Sequence, residues 1–417
     1  MIAVPSVRTI LFRLHWALGL TLGLVLVVMG ATGALMSYEE AIFAFVHRHE
    51  TAAGAEAPAL SPTRLVARIV AQKPGATVVD LTWPGEAGGS VGVRFGRDPA
   101  TGIRPVARQA DPVDGRLLGS GRLEEAFGTV RSLHRWMLMP GDARGWGRTV
   151  TGLAALSLVV FLATGLYLRW PAIHGWRVWL RPRLSRPGRP RWWSLHAVAG
   201  TWLAPVYLVL ALTGLTWSFP AWKDATTWLL TGEARPRSEA RPAGEARPER
   251  AAGRERRPRA GEDAPDPTLV DRVWATFGAG EGRGAVLVIL SIPGPEGGPI
   301  RIRWVPAGAD PHGGTDQASF DGRTGALVAI ARNADKPLGR RLVDGILDVH
   351  RGRFFGEAVA LVFAVAALLL PGFAATGIWL FVLRRRGRNR LAGSMSAAGG
   401  RGPAGTVDPL AKVASSA

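Results

Sequence analysis

The 417-residue chain contains no cysteine. Disulfides, iron–sulfur clusters, thiolate zinc sites and haem attached through C-x-x-C-H are therefore excluded, and any metal must be held by His or by oxygen. Hydrolytic signatures are also missing: there is no G-x-S-x-G, no H-E-x-x-H, no P-loop and no glycine-rich dinucleotide motif after a strand. A flavin or nicotinamide would have to arrive on a partner. Acidic side chains are outnumbered, 32 against 51 Lys plus Arg, for a net charge of +19. In a soluble protein that balance suggests nucleic acid. Here the arginines crowd the ends of apolar runs, where membrane topology puts them, and no nucleic-acid partner is expected.

What the chain does have is four concentrated apolar runs, at residues 10–36, 150–170, 195–219 and 358–383. Each is long enough for a spanning helix with some tilt. The first is read as a retained helix rather than a secretory signal, because its apolar core is long for a signal and its pattern recurs in the third run. Arg8 and Arg13 precede the first run, seven arginines from Arg169 to Arg191 fill the link between the second and third, and Arg384 to Arg390 follow the fourth. The positive-inside rule makes all three clusters cytoplasmic, with both termini on that side and two long segments outside.

The third run repeats the first. "RLHWALGLTLGLVLVVMGATGALMS" and "SLHAVAGTWLAPVYLVLALTGLTWS" align on His15 and His196, and Thr32-Gly33, Thr213-Gly214, Ser37 and Ser218 then coincide. More loosely, "SLHRWMLMPGDARGWG" leads to "ATGLYLRW" as "DVHRGRFFG" leads to "ATGIWLFVLRRR". Each outer segment holds a short helix, with Ser61 or Asp266 as N-cap and Pro62 or Pro267 in the first turn. Strand-like runs follow at 77–83, 91–95 and 103–110, and again at 285–292, 300–305 and 318–330, with Asp114-Gly115 and Asp321-Gly322 as turns.

The expected fold class is an α-helical membrane protein: a four-helix transmembrane bundle of two parallel repeats, each with an inserted extracytoplasmic α+β domain. The boundaries are helix 1 with its extension at 8–48, a first outer domain at 50–125, a His-bearing segment with helix 2 at 126–170, a basic loop at 171–191 and helix 3 at 192–230. An Arg/Pro/Glu-rich insert at 231–265 has too few apolar residues for a core and is read as disordered. A second outer domain at 266–335, a His-bearing segment with helix 4 at 340–386 and a disordered tail at 387–417 complete the chain.

Parallel repeats place His15 and His196 at equal depth near the cytoplasmic face, and His134 and His350 together near the outer face. Two imidazoles at one depth on different helices can approach an iron from opposite sides, the arrangement of a six-coordinate, non-covalent haem. The 18 positions from His15 to Gly33 rise about 27 Å, so one haem near each face would form a relay. Trp16, Trp193 and Trp136 offer flat surface, with an interfacial aromatic belt as the commoner explanation. Arg13, Arg135, Arg191 and Arg351 are candidates for haem propionates, with snorkelling as the alternative. His47 or His49 could replace His134 as an outer ligand; His174 and His312 carry weaker signals.

The quoted stretches "RLHWALGL", "SLHRWML", "SLHAVAGTW" and "DVHRGRFFG", with the "TG" near each helix end and the helix-plus-strands outer units, resemble the PepSY-associated transmembrane-helix family over nearly the whole chain. The insert before the second outer unit departs from that family's compact pattern. The resemblance implies a bacterial inner-membrane protein with two periplasmic PepSY domains, similar in some members to ferric-siderophore reductases that carry b-type haem. It implies His15, His134, His196 and His350 as axial ligands of two haems b. Electrons would pass from an unidentified donor to a ferric chelate or other periplasmic acceptor, a haem-dependent reductase activity in which no side chain need act as acid or base. The competing expectation is a membrane-anchored PepSY module that binds peptides or regulates a protease without redox activity.

Overall fold

In the computed structural model, the described residues are 6–47, 58–85, 89–97, 105–119, 121–141, 145–170, 175–233, 266–294 and 297–399. His49, His174, most of the expected insert and the tail beyond residue 399 lie outside them, as does the side chain of His47. In chain order the elements are α1 (Val7–Ser37), α2 (Glu39–His47), α3 (Pro62–Gln72), β1 (Val78–Pro84), β2 (Val91–Phe95), β3 (Arg108–Ala110), α4 (Arg122–Trp136), α5 (Trp146–Arg169), α6 (Trp176–Leu180), α7 (Arg189–Ser218) and α8 (Pro220–Thr231). They continue with α9 (Pro267–Ala279), β4 (Leu287–Ser291), β5 (Ile300–Val305), β6 (Asp316–Phe320), β7 (Leu327–Ala331), α10 (Leu338–Asp344), α11 (Ile346–Arg351), a 3-10 turn at Arg353–Phe355 and α12 (Glu357–Gly399).

Among the described residues α1, α5, α7 and the Glu357–Gly387 part of α12 are long and apolar enough to cross a membrane. The shortest, 24 residues, rises about 36 Å, against a hydrocarbon core of about 30 Å. They coincide with the four apolar runs. The fourth helix continues to Gly399, past residue 386 where the sequence placed its end.

The chain divides into two compact units, one made of residues 1–27, 160–204 and 370–417, the other of 28–159 and 205–369. In the first, segments of α1, α5, α7 and α12 are held by aromatic contacts and by one buried arginine. Trp16 lies 5.2 Å from Phe381 and the Arg384 guanidinium sits 4.2 Å over Phe12. Arg169, at the end of α5, donates to the carbonyls of Ala197 and Val178 and to Thr201 Oγ1, and lies 4.8 Å over Trp179. A guanidinium carries enough donors to satisfy several acceptors at once, so Arg169 ties α5 to α6 and α7.

The second unit carries one antiparallel sheet of seven strands in the order β3-β2-β1-β4-β5-β6-β7. The sequence reading made two separate sheets. They are joined where β1 pairs with β4, with Leu81 opposite Leu290 and Trp83 opposite Val288. The run expected as one strand at 318–330 is instead a hairpin, β6 and β7, folded at Asp321, whose carboxylate accepts from the Arg323 and Thr324 amides. Buried positions of β2 and β5 face two cores, one where Leu65 and Ile69 of α3 pack with Leu81 and Phe95, the other where Leu269 and Phe277 of α9 pack with Leu290 and Trp304. Trp83 and Ile292 pack against both.

Asp266 caps α9 as expected, accepting from the Thr268 amide. Ser61 stands at the N-cap position of α3 but does not cap it. Its hydroxyl donates to Asp271 of α9, and that carboxylate accepts from the Thr63 amide, so the second helix caps the first. Elsewhere in this unit Glu39 of α2 is paired with Arg131 of α4, while Glu40 meets Arg353 at 2.6 Å and Arg351 at 3.7 Å. The buried Arg353 also donates to the Ser37 carbonyl at 2.6 Å.

Candidate functional site

Histidines at four helix positions fall into two pairs, one in each compact unit. In the first unit His15 of α1 and His196 of α7 face each other with ring centroids 6.5 Å apart and planes inclined by 72°. Each ring also meets a phenylalanine edge-on at 5.2 Å, Phe161 of α5 for His15 and Phe373 of α12 for His196. In the second unit His134 near the end of α4 and His350 near the end of α11 are close enough for their charges to oppose one another. Trp217 meets His350 edge-on at 5.3 Å.

Every one of the four rings is held the same way. His15 Nδ1 lies 2.7 Å from Thr164 Oγ1, His196 Nδ1 2.8 Å from Thr376 Oγ1, His134 Nδ1 3.0 Å from Thr32 Oγ1, and His350 Nδ1 2.7 Å from Thr213 Oγ1. Each threonine is followed by glycine, and each glycine lies beside Cε1 of the same ring. A methyl group added at Gly33 would come within 3.1 Å of His134 Cε1, tighter than van der Waals contact. At Gly165, Gly214 and Gly377 the corresponding distances are 3.6, 3.7 and 3.8 Å, ordinary contact. The sequence presented these Thr-Gly pairs only as marks near helix ends. Their partners sit on a neighbouring helix 102 to 180 residues away, a juxtaposition no local pattern records.

Around the second pair, which lies outside the spans, the protein removes enough water to disfavour the charged form. Burial pushes His134 down to about 4, opposed by its hydrogen bond to the Met29 carbonyl and reinforced by Arg135 and Arg351. Burial, then the neighbouring His134 and Arg351, push His350 down to about 3, opposed by a hydrogen bond to the Leu210 carbonyl. At neutral pH both are uncharged imidazoles, the form that donates a lone pair to a metal.

Among the described residues no group of three or more His, Cys, Asp or Glu side chains is placed to hold a metal ion. The donors come in twos, which fits a metal that brings its own equatorial ligands. An imidazole-to-metal bond is about 2 Å. Adding two such bonds to the inner half of each ring spans roughly 6 Å, close to the 6.5 Å between His15 and His196.

The four arginines singled out with the histidines are placed differently from one another. Arg13 is exposed. Arg191 is exposed and its Nε donates to the Leu184 carbonyl at 2.9 Å. The Arg135 guanidinium lies 4.7 Å over Trp136, and Arg351 faces Glu40 at 3.7 Å. Tyr207 carries no sequence signal; its buried hydroxyl donates to the Ala366 carbonyl at 2.8 Å. The sequence shows Arg169 only as one of the cluster of basic residues, not as the buried tie between helices.

Four helices able to span a bilayer, a separate antiparallel sheet and paired imidazoles define an α-helical membrane protein that meets the lipid bilayer through those helices. The model of the PepSY-associated TM region matches residues 12–384, and the chain belongs to that family. No curated protein matches it.

Proposed function

We propose that the chain is a di-haem b electron conduit of the bacterial inner membrane, passing electrons from a cytoplasmic-side donor to a periplasmic acceptor, a ferric siderophore or other ferric chelate. The observation that carries this reading is the fourfold arrangement of an imidazole tied at Nδ1 to threonine, in two pairs, of which His15 and His196 face each other at 6.5 Å. His15 and His196 would hold one haem and His134 and His350 the other. Haem bound in this way supplies reversible one-electron transfer, and reducing ferric iron weakens its bond to hard oxygen ligands.

The remaining work belongs to this chain's own side chains. The four histidines orient and grip, the threonines fix the rings, and the phenylalanines and Trp217 keep water from the ring edges. Arginine clusters in the first turns of α1, from the end of α5 to the start of α7, and in α12 from Arg384 support an orientation with those ends and both termini in the cytoplasm and the two long segments outside. Family membership supports the membrane setting, and the resemblance to siderophore reductases supports the acceptor.

The test is optical. The detergent-purified, dithionite-reduced protein is expected to show b-type bands, with about half the intensity left in His196→Ala and about half in His350→Ala, since each removes one of two haems. A colourless protein, after expression with haem supplied, overturns the proposal and leaves the peptide-binding module as the reading to pursue.

A further inference from the structure

We propose that Thr32, Thr164, Thr213 and Thr376 are positioning residues that lock each ligand histidine as its Nδ1–H tautomer, leaving Nε2 as the free lone pair that faces a metal. The consequence for the metal rests on the di-haem reading; the tautomer itself does not.

The direction of each hydrogen bond follows from counting protons. A threonine hydroxyl has one hydrogen and two lone pairs. In all four residues Oγ1 also lies against the carbonyl four residues back: 2.6 Å for Thr164 and Val160, 2.8 Å for Thr376 and Gly372, 2.6 Å for Thr32 and Val28, and 2.5 Å for Thr213 and Val209. A carbonyl only accepts, so the hydroxyl proton is committed to the helix backbone. What remains on the side facing the histidine is a lone pair, 2.7 to 3.0 Å from Nδ1. Two lone pairs at that distance repel, so Nδ1 must bear the hydrogen.

A neutral imidazole with hydrogen on Nδ1 has its lone pair on Nε2. The threonine thus does for these rings what a carboxylate or carbonyl does for other metal-ligating histidines: it fixes the tautomer, stops rotation and raises ligand basicity. Within each half of the chain the locks are crossed. α1 supplies His15 and receives its lock from α5, and α1 supplies Thr32, which locks His134. α7 and α12 repeat this with His196, Thr376, Thr213 and His350.

The test uses the full chain in lipid nanodiscs with 15N-labelled histidine, comparing the wild type with single Thr→Val and Thr→Ser variants at the four positions. In protein made without added haem, the ring 15N shifts read the tautomer directly. The wild type and the Thr→Ser variants are expected to show Nδ1–H, and each Thr→Val variant to lose it at its own histidine alone. On titration with haemin, Thr→Val is expected to bind roughly 10- to 100-fold more weakly and to shift the midpoint potential upward, with Thr→Ser restoring both. Nε2–H rings in the wild type, or Thr→Val variants with unchanged tautomer, overturn the proposal. A wild type that shows Nδ1–H rings yet binds no haem overturns the di-haem reading and leaves the lock standing.

Discussion

His312 shows how a residue with little sequence signal acquires a role through its surroundings. It lies in the glycine-rich loop after β5, with Nδ1 3.6 Å from Asp348 of α11 and Nε2 3.4 Å from Glu357 at the start of α12. The Asp348 carboxylate beside it raises its pKa, burial and Arg353 oppose the rise, and the charge of Glu40 adds to it. A histidine whose folded pKa exceeds its unfolded value contributes stability that is complete below about 6.5 and is lost as pH climbs through the raised folded value. The protection factors of residues 309–314, taken relative to the intrinsic exchange rate at each pH, are therefore expected to fall as pH rises above about 6.5, and to be low at every pH in His312→Asn; wild-type protection factors that do not change with pH contradict it. The four paired histidines were legible in the sequence, because the first and third apolar runs align on His15 and His196 and the segments before the second and fourth align on His134 and His350. The threonines holding them were not, since a hydroxyl's partner is set by which helices touch.

At the scale of elements, apolar length was enough to find the spanning helices and alternation enough to find most strands. The hairpin at β6 and β7 was read as one strand although the Asp321-Gly322 turn between its arms was visible. The union of the two sheets was not readable at all, because an edge strand carries no mark of the edge it will meet. Trp83 sits at that union, 4.3 Å from Trp274 of α9 and packed against both cores. Trp83→Ala is expected to cost on the order of 3 kcal/mol, the lower end for losing an indole because the ring is only half-buried. Amides of β2 and β5 are then expected to lose hydrogen-exchange protection together, as parts of one cooperative sheet. Loss confined to β2 would mean that the two cores open independently.

At the scale of the whole molecule, the missing cysteines become an experimental convenience, since any introduced thiol is the only one present. Arg186→Cys, in the arginine-rich link, and Gly308→Cys, after β5, both occupy exposed positions. The proposed orientation has an impermeant maleimide label Gly308→Cys in intact spheroplasts and Arg186→Cys only in inverted vesicles; the opposite pattern reverses the topology and the direction of electron flow with it.

The pairing of β1 with β4 has one more property. Aligning "VVDLTWPG" with "VLVILSIPG" on their Pro-Gly ends makes Leu290 the counterpart of Leu81, and these two residues face each other in the register, with Thr82 opposite Ile289 and Asp80 opposite Ser291. A strand that meets its own counterpart antiparallel, centred on equivalent residues, has the local two-fold symmetry of an isologous dimer. The register at this seam is the one two like strands of separate protomers would adopt. Covalent linkage turns a contact that separate halves would have to make by collision into an intramolecular one, held at the high effective concentration of a tether.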